Sequence, residues 1–162
     1  MEKKYKFFLG GNDAEMEIIR NLLKENKQQF YEKELTWGAK LSEYKTEIEN
    51  LTPEQIPVFI ELALDISYPQ NSIIVDHHNQ NSGADKKTSI EQVADLLNLE
   101  LSREQQLISA NDRDMFKGMQ LLNASNEEIE KVNELEKKAQ NITDEDYKLA
   151  EKYYYRDKIS CK

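Results

Sequence analysis

Two apolar runs constrain this chain most, because neither of them alternates. Pro57-Val58-Phe59-Ile60-Glu61-Leu62-Ala63-Leu64-Asp65 and Ile73-Ile74-Val75-Asp76 are near-continuous hydrophobic stretches that each close on an acid. A strand with one wet face would read apolar, polar, apolar, polar. A run without that period suits a strand covered on both faces, as in a parallel sheet sandwiched between helices. Lys6-Phe7-Phe8-Leu9 is a third run of this kind and ends at Gly10-Gly11, a tight-turn signal. Asp13 follows as a helix cap, ahead of an apolar face made by Ile18, Ile19, Leu22 and Leu23. Phe30 to Leu35 is compatible with a short strand, and Ala39 to Leu51 with a helix before a turn at Thr52-Pro53.

Beyond Gly83 the pattern becomes helical. Thr88, Ser102, Ser125 and Thr143 each stand where a helix cap is needed, before segments running to Leu99, to Asn111-Asp112, to Gln140 and to Tyr155. Strands mixed with helices, followed by helices alone, predict an α/β fold with a mainly parallel central sheet flanked by helices and a helical C-terminal region. The 162 residues suffice for a single domain with its own core. The motifs described below fall within 5–115. Residues 116–162 read as a helical extension that could lead into a further domain.

Composition removes several function classes. With 31 acidic against 22 basic residues the net charge is −9, which opposes non-specific binding to duplex DNA, where phosphates must be neutralised by Lys and Arg. A phosphate-containing small molecule or a short oligonucleotide stays compatible, because a bound cation reverses the local field. The lone cysteine, Cys161, excludes a disulfide framework and a thiolate metal cluster. No segment has the length of a membrane span, and the apolar run near the N-terminus is too short for a signal peptide. The chain is expected to be cytoplasmic and not to engage membranes.

Acids recur at the predicted strand ends. Asp13 and Glu15 follow the first run, Asp65 closes the second, and Asp76-His77-His78 closes the third, with the chain's only two histidines. In open α/β sheets, ligands bind in the crevice outside the carboxyl ends of the strands. Carboxylates gathered there repel one another unless a cation lies between them. Oxygen ligands with one imidazole suit Mn²⁺ or Mg²⁺, as one ion or as two about 3.5–4 Å apart. Asp112, at the end of a predicted apolar helix, gains nothing from the helix dipole there and joins the candidates. Arg113 and Asn12 are candidates for contact with a substrate phosphate.

Asp76-His77-His78 after an apolar strand resembles the signature motif of the DHH phosphoesterase superfamily, which includes oligonucleotide and cyclic-dinucleotide phosphodiesterases and family II pyrophosphatases. Asp13-Ala14-Glu15 resembles the first motif of that family, Asp65 the second and Asp112 the fourth, in the same order along the chain. The resemblance implies metal-dependent hydrolysis of a phosphoester or phosphoanhydride by metal-activated water. It implies Asp65 as a bridge between two metals, Asp13 on the first, and Glu15, His77 and Asp112 on the second. His78 would face the substrate as an acid, and Asp76 would orient a histidine. Three departures stand beside it. No histidine precedes Asp13, Glu15 replaces an aspartate, and no glycine-rich second domain follows Asp114.

Each residue also has a plainer role. The histidines could be a solvated turn pair, Asp13 only a cap, Glu15 a favourable first-turn acid, and Asp65, Asp112 and Asp114 surface charge. Trp37, the only tryptophan, could stack on a base but fits core or rim packing better. The Glu/Lys run from Glu127 to Lys138 reads as a solvated helix face. A non-catalytic DHH-like module that binds a nucleotide or a protein partner is therefore the alternative to an enzyme.

Overall fold

A computed structural model describes residues 4–78, 83, 86–143 and 145–146. Most of the helix expected over 143–155, the tyrosines at its end and Cys161 lie outside them, as do Asn79 and Gln80.

The apolar runs become a four-stranded, fully parallel sheet in the order β2-β1-β3-β4. The strands are β1 (Lys4–Leu9), β2 (Gln29–Tyr31), β3 (Gln55–Ile60) and β4 (Ile73–Val75). Helices α1 (Ala14–Glu25), α2 (Lys45–Glu49), α3 (Ser89–Leu97), α4 (Arg103–Leu121) and α5 (Asn126–Ala139) complete it, with a 3₁₀ turn at Leu41–Tyr44. The predicted α/β architecture with a helical C-terminal region is the observed one. Among the described residues no helix is long and apolar enough to cross a membrane.

Both faces of the central strands are covered, as their uninterrupted apolar character requires. Phe7, Leu9, Val58 and Ile60 point into a core shared with α1, α3, α4 and α5. Phe8 and Phe59 point the other way, into a smaller core with Leu41, Tyr44 and Ile48. Fully burying side chains of this size contributes about 1.5–3 kcal/mol each. Tyr44 is buried in the second core, and its hydroxyl donates to the Leu9 carbonyl at 2.6 Å.

The caps act as their sequences predict. The Asp13 carboxylate accepts from the Met16 amide at 2.8 Å. Thr88, Ser102 and Ser125 each form a reciprocal capping box, with Glu91, Gln105 and Glu128. Three boundaries differ from expectation. The expected helix 39–51 is instead a β-bridge at Lys40, the 3₁₀ turn and the short α2. β3 stops at Ile60 because Glu61 takes a left-handed conformation, φ 52°, which no strand continues through. α4 runs on past Asp112 and is broken only at Met115, where φ is 53° and ψ −142°.

Register fixes what lies at the C-terminal edge of the sheet. Leu9 pairs with Ile60, and Ile60 with Val75, so Gly10, Glu61 and Asp76 come out level. Gly10 is required by this closeness: a Cβ there would lie 2.5 Å from the Glu61 carbonyl oxygen and 2.7 Å from that of Ile60. Replacing Gly10 with Ala is expected to cost about 1–3 kcal/mol, the range for overpacking. Thermal denaturation should show a Tm several degrees lower, and an unchanged Tm would contradict the tight packing.

Candidate metal centre

Five side chains from four places in the chain meet at that edge. Glu15 comes from the first turn of α1 and Glu61 from the end of β3. His77 and His78 follow β4, and Asp112 comes from α4. Glu15 is 1% exposed and His77 5%, while Glu61, His78 and Asp112 are half-buried. Burying ionisable groups to this degree is costly unless each is paired or coordinated.

Part of the pairing comes from α3. One oxygen of Glu15 accepts from the Ile90 amide at 2.9 Å, one of the first-turn N–H groups that the helix itself leaves without a partner. The Ser89 hydroxyl donates to Glu61 Oε1 at 2.7 Å and lies 3.1 Å from His77 Nδ1. Glu61 Oε1 also stands 3.4 Å from His77 Nδ1 and 3.4 Å from His78 Nε2. Since the Ser89 proton goes to Glu61, its oxygen accepts from His77 Nδ1. That fixes the imidazole with Nε2 as the nitrogen open to a ligand.

The rest of the pairing is missing. Glu15 Oε2, His77 Nε2 and Asp112 Oδ2 are all buried with no hydrogen-bond partner. His77 Nε2 and Asp112 Oδ2 face each other as an ion pair, yet without the geometry of a directed hydrogen bond. Among the described residues, those carrying these three atoms form one of two groups whose ligand atoms lie within 4.8 Å of one another, Glu15–His77–Asp112. The other group is Glu61–His77–His78. Buried His, Glu and Asp side chains here could hold a metal ion.

The electrostatics describe the same crowding. Burial, reinforced by the charges of Glu61 and Asp112, pushes the Glu15 carboxyl well above its usual range. For Glu61 burial acts upward too. It is outweighed by hydrogen bonds to His77, His78, Glu15 and Ser89, which hold this carboxyl well below the ordinary value. Burial lowers His77, but the neighbouring Asp112 and Glu61 carboxylates overcome it and raise the imidazole to about 10. Glu61 raises His78 against a smaller opposing effect of burial.

The other predicted residues fall as follows. Asp13 caps α1 and also lines a cleft of about 170 Å³ with Glu61, Asp76 and His78. Burial, with the charges of Glu61, Asp112 and Glu136, raises its carboxyl to about 7. Asp76 accepts from the His78 amide at 2.9 Å, so it sets the backbone between the histidines. Asn12 binds Arg20 and the Ala139 carbonyl. Arg113 pairs with Glu91 and Asp114, away from the cleft.

Asp65 is corrected. It is exposed, and both of its oxygens are used by Ser42, at 2.9 Å from the amide and 2.7 Å from the hydroxyl. The strand ends at Ile60, five residues before it, so Glu61 takes the place at the sheet edge. A signal for this exists in the sequence: Glu61 is the first acid after an apolar run, as Asp76 is after Ile73-Ile74-Val75. Ser89 and the half-buried Glu136 were also missed. Glu136 belongs to a charged helix, and only the packing of α5 on α1 brings its charge to Asp13.

No family model, curated protein or solved structure matches the chain.

Asp13 and Glu15 hold their protons more tightly when folded than when unfolded. A carboxyl raised in this way contributes stability at low pH that is lost as pH climbs from the ordinary value of 3.8–4.5 through the folded one. The metal-free protein is therefore expected to lose Tm between about pH 4.5 and 7, and Glu15→Gln should flatten the loss. Denaturation scans in chelator across this range provide the measurement. A Tm that rises with pH would contradict the assignment.

Proposed function

We propose that the chain hydrolyses a phosphoester or phosphoanhydride with the help of Mn²⁺ or Mg²⁺, acting on a nucleotide or short oligonucleotide. The observation that carries this reading is the set of buried ligand atoms on Glu15, His77 and Asp112, which lie close together and make no directed hydrogen bond. Carboxylate oxygens with a single imidazole match the donor preference of these cations. Their place, outside the carboxyl ends of parallel strands, is where α/β sheets take ligands. The resemblance of Asp76-His77-His78 to the DHH signature adds to it, now with Glu61 rather than Asp65 as the acid of the second strand.

A bound cation would supply a water of lowered pKa and offset charge on the phosphoryl oxygens. The chain's own groups have separate tasks. Ser89 holds His77 in the ligating tautomer. His78, on the cleft wall and raised by Glu61, holds a proton at Nε2 that it can give to a leaving oxygen. The Asp76 carboxylate fixes the turn that aims His78. Asp13, with its carboxyl near 7, stands on the same cleft as a proton acceptor.

Calorimetric titration with Mn²⁺ and a panel of bis-p-nitrophenyl phosphate, pyrophosphate and cyclic dinucleotides test the reading. Turnover is expected with Mn²⁺. His77→Ala should reduce it by at least about 100-fold, the upper range for losing a metal-site group, with the fold retained by circular dichroism. Asp65→Asn should leave it within about 2-fold. Activity that persists in the His77 variant would refute the site, and Mn²⁺ binding without any turnover would favour the non-catalytic module.

A further inference from the structure

Trp37 was expected in the core or at its rim, and it is 89% exposed. Such exposure gives up the large burial energy of an indole, yet the backbone that carries it is fixed on both sides. The Leu35 carbonyl accepts from the Asn12 amide at 3.0 Å. The Ala39 carbonyl accepts from the Ala63 amide at 2.9 Å. Between them the turn presses on Gly11, where a Cβ would lie 2.7 Å from the Thr36 carbonyl oxygen and 2.9 Å from the Trp37 nitrogen. Gly38, at φ 82°, lets the chain reverse immediately after the indole. A free aromatic ring on a held turn is pre-organised for contact.

Its position gives that contact a direction. Trp37 lines the cleft of about 170 Å³ that contains Asp13, Glu61, Asp76 and His78. It also lines a groove of about 840 Å³ in which Arg20 and Lys24 stand among Glu17, Glu32 and Glu34, with Arg20 paired to Glu17 and Glu32, so it stands on the ridge between the two. The smaller cleft falls below the roughly 300–1,000 Å³ that encloses a whole drug-sized ligand. It therefore suits the phosphate end of a molecule whose remainder runs over the ridge. Among the described residues, Trp37 is the only exposed large hydrophobic side chain on either lining; Met115, Phe116 and Leu121 are elsewhere, on α4. A protein-docking hot spot has further contacts around its anchor that exclude water. A single indole among polar groups suits one planar, partly polar face, such as a nucleobase.

We propose that Trp37 is a stacking platform for the base of a nucleotide whose phosphate lies at the Asp13–Glu61–His78 cleft. The proposal rests on the phosphoester reading for the phosphate's place, and it adds the residue that takes the base.

Because Trp37 is the only tryptophan, intrinsic fluorescence reports on this residue alone. The full chain, loaded with Mn²⁺, is titrated with AMP, ribose 5-phosphate and adenosine, and calorimetry gives the affinities. AMP should quench saturably and ribose 5-phosphate should not. Trp37→Ala should weaken AMP by about 5- to 150-fold, the range for one base–aromatic stack. Trp37→Phe should retain most of the affinity, and ribose 5-phosphate should bind all three proteins alike. Equal binding of AMP and ribose 5-phosphate to the native chain, or AMP affinity unchanged by Trp37→Ala, overturns the platform while Mn²⁺ binding leaves the metal site standing. If Mn²⁺ does not bind, the phosphoester reading fails. Saturable quenching by adenosine then still supports the platform, and its absence overturns it.

Discussion

The structure turns on one carboxylate that water hardly reaches. Glu15 has one oxygen held by the first turn of α3 and the other facing His77 and Asp112 without a hydrogen bond. A fold driven by stability alone would place an apolar side chain there, since burying an acid whose hydrogen bonds are incomplete is costly. Keeping Glu15 neutral, as its raised pKa implies in the metal-free chain, is one way to reduce that cost. A cation between the three atoms that lack hydrogen bonds is the other, and it would also explain why the remaining acids converge.

That convergence depends on the parallel register more than on any loop. Once Leu9, Ile60 and Val75 are paired across the sheet, the residues after them must leave at one level. Glu61 does so through a left-handed backbone, which costs a non-glycine residue of order 1 kcal/mol and persists where the surroundings enforce it. The enforcing contacts are local. The Glu61 amide donates to the Val75 carbonyl at 2.9 Å, and its side chain is held by Ser89 and both histidines. The strain and the ligand position are one feature: continuing the strand would point the Glu61 side chain to the face opposite Ile60, away from the core shared with α1 and α3.

Much of this was legible in the residues themselves. The both-sided burial of β1 and β3 followed from runs without a polar alternate, and the caps of α1, α3, α4 and α5 followed from Asp13, Thr88, Ser102 and Ser125. His77 and Asp112 were legible as an imidazole and an acid at a strand end and a helix end, whereas Glu15 in a first helical turn also suits the helix dipole alone. Asp65 misled because Leu62, Ala63 and Leu64 continue the hydrophobic run past the true strand end. Hydrophobicity cannot distinguish a strand from the isolated bridge that Ala63 makes with Lys40. Glu136 and Trp37 were beyond reach for another reason. A helix face and an exposed turn acquire their meaning only from what packs beside them, and no local pattern encodes that.

The charge of the molecule adds an order to events in the proposed hydrolase. With a net charge of −9 and carboxylates concentrated at one edge, the metal-free site repels a phosphate; His77, raised to about 10, is its main counter-charge, and Asp112 and Glu61 already share it. A divalent cation gains from those same carboxylates, so it is drawn to the edge before an anionic substrate can be. His77 Nε2 would hold the ion in place of a proton, and the ion's charge would reverse the local field. Phosphate binding would then follow metal binding. The acidic chain would thereby discriminate twice: against polyanions that need a broad basic surface, and for a small phosphate that needs only one edge of reversed sign.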